Sequence, residues 1–296
     1  LHSFRTRRCS DLNKKFWMND PADLALMKRE GLDSPEQLQS YFEKKLAKLI
    51  VSKGKQMIGW DEILEGGLAP GTAVMCWRGI GKGVQAARMG HAVIMTPIWD
   101  TYLSRRQGSP FAEPIAPGNL RLRACYQFDP VPDSVETKNI IGGQGCLWTE
   151  FVANGRHAEY MTWPRALALA EVCWSPERLR NWPDFARRVE RQFQYLDAAQ
   201  VKYAASMYDP IVEMVSGAGD TLKVALETEI PGLDMYYSFD GTNPDNFYPP
   251  YTGTSLNIPT GASEIRVITY RNGRPLGRQV NAPLDELKKK MKKQKP

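Results

Sequence analysis

The sequence predicts an α/β domain followed by a small all-β module. Up to about residue 200, short and almost wholly apolar segments alternate with helical segments, as expected for strands that helices cover on both faces. After Tyr208 the pattern changes to segments of alternating apolar and polar residues, separated by turn dipeptides such as Asp240 with Gly241 and Asn272 with Gly273. The two patterns place the boundary between domain and module close to residue 204.

The first predicted helix spans residues 34–54. Ser34 is a suitable N-cap, Pro35 fits the first turn, and Gln37 completes a capping box. Its apolar residues fall on one face at helical spacing: Leu38, Phe42, Leu46, Leu49 and Ile50. Gly54 can end the helix, because glycine readily adopts the left-handed conformation that follows many helix C-termini.

The remaining elements are predicted from the same signals. Strands are predicted at residues 56–60, 73–77, 92–96 and 140–148, and helices at 83–89, 163–173 and 184–196. In the module, strands are predicted within residues 221–230, 235–241, 255–261 and 263–273. The segment 140–148 is rich in glycine but apolar, which is typical of a buried strand that another backbone approaches closely.

The net charge of +6 comes largely from a lysine-rich tail, and the remainder of the chain would be near neutral without it. We expect this tail to be solvated and frayed, in preference to binding nucleic acid or an anionic surface. No apolar run approaches the roughly 18 residues of a membrane helix, so no membrane partner is predicted.

The cysteines lack metal-ligand spacing and are predicted to be free thiols buried in the core. They are Cys9, Cys76, Cys125, Cys146 and Cys173. Neither a metal site, a phosphate-binding loop nor a cofactor is predicted. The histidines, His2, His91 and His157, are expected to have structural or surface roles.

Aromatic residues and a carboxylate follow the predicted strands. Trp60 ends the first strand and Trp77 the second. The third strand leads to Tyr102, and the last ends at Trp148, which Glu150 follows closely. In α/β barrels this end of a strand is where ligands bind, and flat apolar walls with a carboxylate suit a sugar ring. The alternative is that these aromatic side chains close the core.

Several motifs follow one another in a specific order. They are GWDEILEGGLAP, VMCWRG, GHAVIMTP, YQFDPVP, IIGGQGCLWTE and YMTWPRALALAEVCWS. In that order they resemble the second half of the catalytic domain of glycoside hydrolase family 20, the β-N-acetylhexosaminidases, over about residues 17–200. In the all-β module, YYSFDGTNP resembles the β-sandwich domain that follows the catalytic barrel in many bacterial members.

The resemblance implies a partial (β/α)8 TIM barrel, roughly strands five to eight, followed by a small all-β sandwich. The implied organisation is an atypical segment at residues 1–16, the C-terminal half of the barrel at 17–204, the β-sandwich module at 205–283 and the basic tail at 284–296. A complete barrel takes about 200 to 250 residues, so the chain is expected to be the C-terminal part of a longer enzyme. Two unpaired strand edges would then favour self-association.

The resemblance also implies a role for each site residue. Trp60, Trp77 and Trp148 match the tryptophans that line the −1 sugar pocket around the N-acetyl group. Tyr102 matches a catalytic-site tyrosine that donates a hydrogen bond to the acetamide carbonyl oxygen. Glu150 matches an acid that holds hydroxyls of the terminal sugar.

The acids beside Trp60 are not the family's catalytic pair, and Asp61 and Glu62 are expected to be supporting hydrogen-bonding groups. Alignment on Trp17 places Asp11 where the family has its general-acid glutamate and Ser10 where it has the aspartate that orients the acetamide. Serine has no charge to orient an acetamide, and aspartate is one methylene shorter than glutamate. The chain by itself is therefore expected to be inactive.

The implied activity is the removal of terminal β-linked GlcNAc or GalNAc with retention, in which the acetamide of the substrate replaces an enzyme nucleophile. The implied partners are GlcNAc- or GalNAc-terminated glycans, and the parent enzyme is expected in the periplasm or outside the cell. The alternative is a non-catalytic protein that binds amino sugars or other proteins. A nucleic-acid binder that uses the basic tail is a third reading, with strongly salt-dependent affinity.

Overall fold

The computed structural model of the chain describes residues 14–132 and 137–294. The chain is divided into two units. Unit 1 combines residues 1–101 with 129–144, and unit 2 combines residues 102–128 with 145–296. Unit 1 contains parallel strands with intervening helices, and unit 2 contains helices followed by antiparallel strands, so the predicted α/β class is confirmed.

Unit 1 contains a four-stranded parallel sheet whose spatial order follows the chain. Its strands are β1 Ile58–Trp60, β2 Ala73–Cys76, β3 Val93–Met95 and β4 Ile140–Gly143. They fall inside the predicted segments but are shorter, and Trp77 and Trp148 lie beyond the strand ends. Because the strands are parallel, their carboxyl ends lie at one edge of the sheet. Among the described residues, β1 and β4 each pair with a neighbour on one side only.

The helices of unit 1 are α1 Lys14–Trp17, α2 Pro21–Glu30, α3 Pro35–Ser52, α4 Ile80–Arg88 and α5 Ile98–Thr101. The start of α3 forms as predicted, because the Ser34 hydroxyl accepts a hydrogen bond from the Gln37 N–H at 3.2 Å. The Gln37 side chain accepts from the Asp33 N–H at 2.7 Å, one residue before the N-cap. The cap therefore satisfies two backbone donors that the helix itself cannot.

The buried face of α3 overlaps only in part with the apolar face that its spacing predicts. Phe42 is 64% exposed and Leu49 56% exposed, whereas the polar residues Gln39 and Ser40 are buried. The Ser40 hydroxyl donates to the carbonyl of Gly67 at 2.5 Å, in the loop after β1. The helix thus packs through Leu38, Gln39, Ser40 and Ala47, so Leu38 of the predicted face is buried, whereas Phe42, Leu46 and Leu49 are exposed in the part of the chain that the structure describes.

The core of unit 1 lies between α4 and the sheet. Val74, Val93 and Met95 are fully buried. Gly83 lies in α4 against Met95, and a Cβ at this position would overlap the methionine sulfur. A glycine at this position lets α4 pack closely against β3.

The helices in the first part of unit 2 are α6 Leu122–Gln127, α7 Gly155–Thr162, α8 Arg165–Trp174 and α9 Trp182–Ala198. The helix predicted at 163–173 begins two residues later, at Arg165. Pro164 precedes it and has no N–H group, so α7 and α8 are separate helices. The helix predicted at 184–196 is confirmed as α9, which Asn181 caps by accepting from the Asp184 N–H.

The second part of unit 2 consists of two antiparallel sheets. The strands are β5 Ile211–Ser216, β6 Leu222–Glu227, β7 Asp234–Ser238, β8 Leu256–Asn257, β9 Glu264–Arg271, β10 Arg274–Pro275 and β11 Val280–Pro283. One sheet contains β5, β6 and β8, and in the other β7, β10 and β11 all pair with β9. Buried residues of both sheets, including Val224 and Val267, form a single core.

The basic tail is a helix, α10 Leu284–Gln294, which corrects the expectation of a frayed segment. Leu284 and Leu287 are buried in the core that the two sheets share, and Met291 packs against it. These apolar residues recur at a spacing of three and four, so one face of the helix packs on the module while Lys288 and Lys289 are exposed.

The cysteines of the described region form no disulfides, but they are not all buried. Cys76, Cys125 and Cys146 are buried as predicted, and burial raises the pKa of the Cys76 thiol to about 12. Cys173 is exposed, because α8 turns this position away from its buried face. Cys9 lies outside the described residues. No helix in residues 14–132 or 137–294 is long and apolar enough to span a bilayer.

Candidate active site

Two of the predicted pocket tryptophans lie at the carboxyl edge of the sheet in unit 1. Trp60 is the last residue of β1, and Trp77 directly follows β2. The strands are parallel neighbours, with Trp60 opposite Met75, so the two tryptophans lie at the same edge. Both side chains are half-buried, which leaves part of each indole available for contact.

Asp61 holds the backbone that carries Trp77. Its carboxylate is fully buried, and Oδ2 accepts hydrogen bonds from the N–H groups of Trp77 and Arg78 at 3.1 and 3.0 Å. Oδ1 accepts from the Arg78 Nε at 2.5 Å, and the guanidinium also donates to Glu65 at 2.6 Å. Burial alone would lower the pKa of Arg78, but its hydrogen bonds to Glu65 and Asp61 raise it above its ordinary value. Asp61 thus fixes the loop after β2.

Glu62 holds the indole of Trp77. The side chain is buried, and both carboxylate oxygens accept a hydrogen bond from the Trp77 Nε1, at 2.9 and 3.0 Å. A hydrogen bond shared between both oxygens of the side chain restricts rotation of the ring about its side-chain torsions. In unit 1 the two acids therefore orient a tryptophan, one through its backbone and one through its ring.

Replacement of Glu62 by methionine is expected to lower the free energy of unfolding by about 2 kcal/mol, because the Trp77 Nε1 loses its buried hydrogen-bond acceptor. The change should also shift the intrinsic tryptophan emission, since the ring becomes free to reorient. Urea unfolding followed by fluorescence measures both effects. Glu177→Met is the matched control, because the Glu177 side chain is 73% exposed. A change of less than about 0.5 kcal/mol in Glu62→Met would contradict the assignment.

Tyr102 and Trp148 lie beside each other in unit 2. Tyr102 forms an isolated parallel β-bridge with Cys146, and the Leu103 N–H donates to the Cys146 carbonyl at 2.8 Å. The ring centroids of Tyr102 and Trp148 are 6.1 Å apart, and the ring planes are inclined by 44°. Tyr102 is buried and Trp148 is half-buried, so the pair presents a partly exposed aromatic surface.

The other predicted site residues are placed as follows. Glu150 is exposed, two residues after Trp148. Ser10 and Asp11 lie outside the described residues. The structure therefore brings together Trp60 and Trp77 in unit 1 with their supporting acids, and Tyr102 with Trp148 in unit 2.

Arg78 is a site residue that the sequence analysis missed. A signal for it was available, because a cation that follows one strand end lies next to the acids that follow the neighbouring strand. The ion pair between Arg278 and the buried Glu113 in unit 2 was also missed, and the great separation of these residues along the chain gives no local signal. Among the described residues, no group of three histidine, cysteine, aspartate or glutamate side chains could hold a metal ion.

Comparison with known proteins identifies the family. Residues 10–177 match the catalytic domain of glycosyl hydrolase family 20. A β-hexosaminidase of Porphyromonas gingivalis is 37% identical over 254 residues, which are 82% of this chain and 32% of that protein. A β-hexosaminidase of Vibrio furnissii is 34% identical over 161 residues, which are 52% of this chain and 26% of that protein.

A solved structure is similar in fold. The exo-β-N-acetylglucosaminidase of Vibrio harveyi, solved in complex with N-acetylglucosamine, superposes with a TM-score of 0.60 and 32% sequence identity. The superposition covers 64% of this chain and 30% of that one, so the chain spans about a third of the length of its relatives. More than half of the chain matches the catalytic domain, and the chain belongs to glycosyl hydrolase family 20, a family of glycosidases.

Proposed function

We propose that the chain carries the sugar site of a β-N-acetylhexosaminidase, an enzyme that removes terminal β-linked GlcNAc or GalNAc by substrate-assisted hydrolysis with retention, but that the chain by itself is inactive because it lacks the family's Asp-Glu pair. The observation that carries the proposal is the match of residues 10–177 to the family's catalytic domain. We further propose that β1 to β4 correspond to strands five to eight of the family barrel, and that the two antiparallel sheets form a β-sandwich module. The parallel order of β1 to β4 supports the first correspondence.

The proposed sugar site uses the aromatic residues that follow the parallel strands. Trp60, Trp77 and Trp148 would provide apolar walls for the sugar ring and its N-acetyl group. Tyr102 would donate to the acetamide oxygen, and Glu150 would accept hydrogen bonds from sugar hydroxyls. These roles come from the family resemblance at each position, and the support that Glu62 gives to the Trp77 indole agrees with a preorganised wall.

The proposed chemistry needs two acids that this chain does not supply in their usual form. One acid orients the acetamide so that its oxygen attacks the anomeric carbon, and the other protonates the leaving oxygen and then deprotonates water. Ser10 and Asp11 occupy these positions. We therefore propose that the 296-residue chain binds amino sugars but turns them over very slowly or not at all.

Turnover is tested with 4-nitrophenyl N-acetyl-β-glucosaminide and the purified chain. No release of nitrophenolate above background is expected. The double variant Ser10→Asp with Asp11→Glu restores both acids. Turnover by this variant would show that the two substitutions alone cause the inactivity, and a variant that stays inactive would show that the inactivity has a further cause. Turnover by the unmodified chain would contradict the proposal that these substitutions abolish catalysis.

Binding is tested by calorimetry with GlcNAc. Trp148→Ala is expected to weaken binding about tenfold, because one aromatic wall is lost. Trp174→Ala is the matched control, since Trp174 is 90% exposed on α8 and has no proposed contact with the sugar. The proposed sugar site would be contradicted if the folded chain did not bind GlcNAc, or if both variants lost the same affinity for it.

The second candidate is a non-catalytic protein that binds amino sugars or other proteins. The serine at position 10 favours it. So do the pairing of β1 and β4 on one side only, as far as the described residues show, and the exposed Phe42 and Leu49 of α3. Exposed strand edges and apolar side chains favour association between copies of the chain. Binding of GlcNAc without turnover, together with a dimer or larger species in light scattering, would support this candidate.

A further inference from the structure

Unit 2 contains a cleft of about 700 Å³ that none of the roles described so far uses. It lies where β7 ends and β9 begins, and residues 237–241, 248–249 and 259–264 line it. The volume is within the range of small-molecule sites, roughly 300–1,000 Å³. The wall combines three aromatic side chains with two acids: Tyr237, Phe239, Tyr248, Asp240 and Glu264.

Tyr237 and Phe239 form an aromatic corner in this wall. Their ring centroids are 6.0 Å apart, and the ring planes are inclined by 78°. Both side chains are half-buried and pack against the core of the two antiparallel sheets, which holds the rings in place while part of each remains accessible. The hydroxyl of the third ring, Tyr248, forms a hydrogen bond with the Thr242 hydroxyl. Aromatic faces of this kind attract a cation in addition to apolar groups.

Asp240 provides a carboxylate that a ligand can reach, because the residue is exposed to solvent. Its Oδ1 accepts hydrogen bonds from the Thr242 hydroxyl at 2.5 Å and from the Thr242 N–H at 2.9 Å. These two hydrogen bonds hold the pKa of Asp240 below its ordinary value, so the group is ionised at neutral pH. Both bonds use one oxygen, and an ionised carboxylate can accept further donors on the other.

The charges around the cleft distinguish between classes of ligand. Within the described part of the chain, the lining residues include two acids and no lysine, arginine or histidine. Glu264 Oε1 is paired with the Nε and Nη2 of Arg266, both at 2.8 Å, so its charge is compensated. The charge that remains is the single negative charge of Asp240, which favours a cationic ligand and disfavours a carboxylate or a phosphate.

We propose that this cleft binds an organic ammonium group. The cation lies against the aromatic corner and pairs with the Asp240 carboxylate, so that the ring faces and the charge attract the same group. The proposal concerns a site beside the antiparallel strands of unit 2, and it does not depend on binding or hydrolysis of amino sugars at the proposed sugar site.

The test compares choline with dimethylbutanol, its neutral isostere, in which a carbon replaces the charged nitrogen. Binding to the 296-residue chain at low salt is followed by NMR titration, with the backbone amides of Gly241 and Gly261 as reporters in the two loops that line the cleft. Choline is expected to bind about fivefold more tightly than dimethylbutanol. Glucosamine as a third probe distinguishes a sugar-borne ammonium from a trimethylammonium group, and tighter binding of either one supports the proposal.

Asp240→Asn should weaken choline about threefold and leave dimethylbutanol unchanged. The variant is compatible with folding, because asparagine keeps an acceptor for Thr242 and suits the turn before Gly241. Asp234→Asn, which changes an exposed acid at the other end of β7, is the matched control and should alter neither affinity.

A second variant, Phe239→Leu, keeps an apolar side chain against the core but removes one ring of the aromatic corner. It should weaken choline more than dimethylbutanol, and circular dichroism checks that it folds. The proposal would be overturned by equal affinities for choline and dimethylbutanol, or by equal effects of Asp240→Asn and Asp234→Asn. It would also be overturned if choline and glucosamine left the Gly241 and Gly261 amides unshifted.

Discussion

Replacement of Arg278 by methionine is expected to lower the free energy of unfolding by about 4 kcal/mol, because it leaves two buried carboxylates without their cation. Arg278 donates to Asp209 and Glu113, whose side chains are 1% and 0% exposed, and to the Ala112 carbonyl at 2.9 Å. Urea unfolding measures the loss. Arg274→Met is the matched control, since Arg274 is exposed on β10, and it should change stability by less than about 0.5 kcal/mol.

The effect of Arg278→Met depends on pH in a defined direction. The folded state holds the pKa of Glu113 below its ordinary value of 4.5, so the ion pair stabilises the protein fully above pH 4.5. This stabilisation is lost as the pH falls through the lower folded-state pKa, because the carboxylate is then protonated. The difference between wild type and variant should therefore be largest near neutral pH and shrink below pH 4.5. A difference that grows on acidification would contradict the assigned pairing.

Arg165→Met is the second variant with a large expected effect, again about 4 kcal/mol, because it removes a fully buried guanidinium that pairs with backbone carbonyls. Nη1 donates to the carbonyls of Arg105 and Leu120 at 2.8 and 3.0 Å. Nη2 donates to those of Leu103 and Met161 at 2.6 and 2.5 Å. Burial lowers the pKa of Arg165 to about 10, so the side chain remains charged at neutral pH.

Arg165 joins the loop after Tyr102 to α8, and loss of its hydrogen bonds should loosen the segment that places the Tyr102 ring. Thermal and urea unfolding measure the loss, with Arg187→Met, on the exposed side of α9, as the control. Arg165→Lys keeps the charge but has fewer donors, and it should recover less than half of the lost stability. Equal stability of Arg165→Met and the control would contradict this expectation, because it would mean that water replaces the guanidinium as the donor to these carbonyls.

The elements that the sequence predicted well are those whose signals are local. Each of β1, β2 and β3 is a short apolar run next to a turn, and α9 has a cap at Asn181 followed by apolar residues at helical spacing. In β2, β3 and α9 the residues that define the element also provide its buried surface. The prediction then needs no knowledge of what packs against it.

The buried face of α3 could not be predicted in this way. Helical spacing shows which residues share a face, but not which face has a partner. Gln39 and Ser40 are buried, where the Gln39 amide donates to Glu43 and the Ser40 hydroxyl donates to the Gly67 carbonyl. Of the predicted apolar face, Leu38 is buried but Phe42 is exposed among the described residues.

The candidate site could be predicted in outline but not in its contacts. Strand ends gave the positions of Trp60 and Trp77, and the order of the motifs gave the family. Asp61 holds the backbone after β2, and Glu62 holds the Trp77 ring. Both contacts depend on the register of β1 and β2, which patterns in a single sequence do not specify.

The helix α10 has a practical consequence for any study of the basic tail. Leu284, Leu287 and Met291 secure the same helix whose lysines carry much of the positive charge. A truncation at residue 288 would therefore remove Met291 from the module together with the lysines, and a lost affinity for polyanions would be confounded with loosened packing. Exchange of Lys288, Lys289 and other lysines for glutamine neutralises the positive charge of the helix while keeping Leu284, Leu287 and Met291 in place.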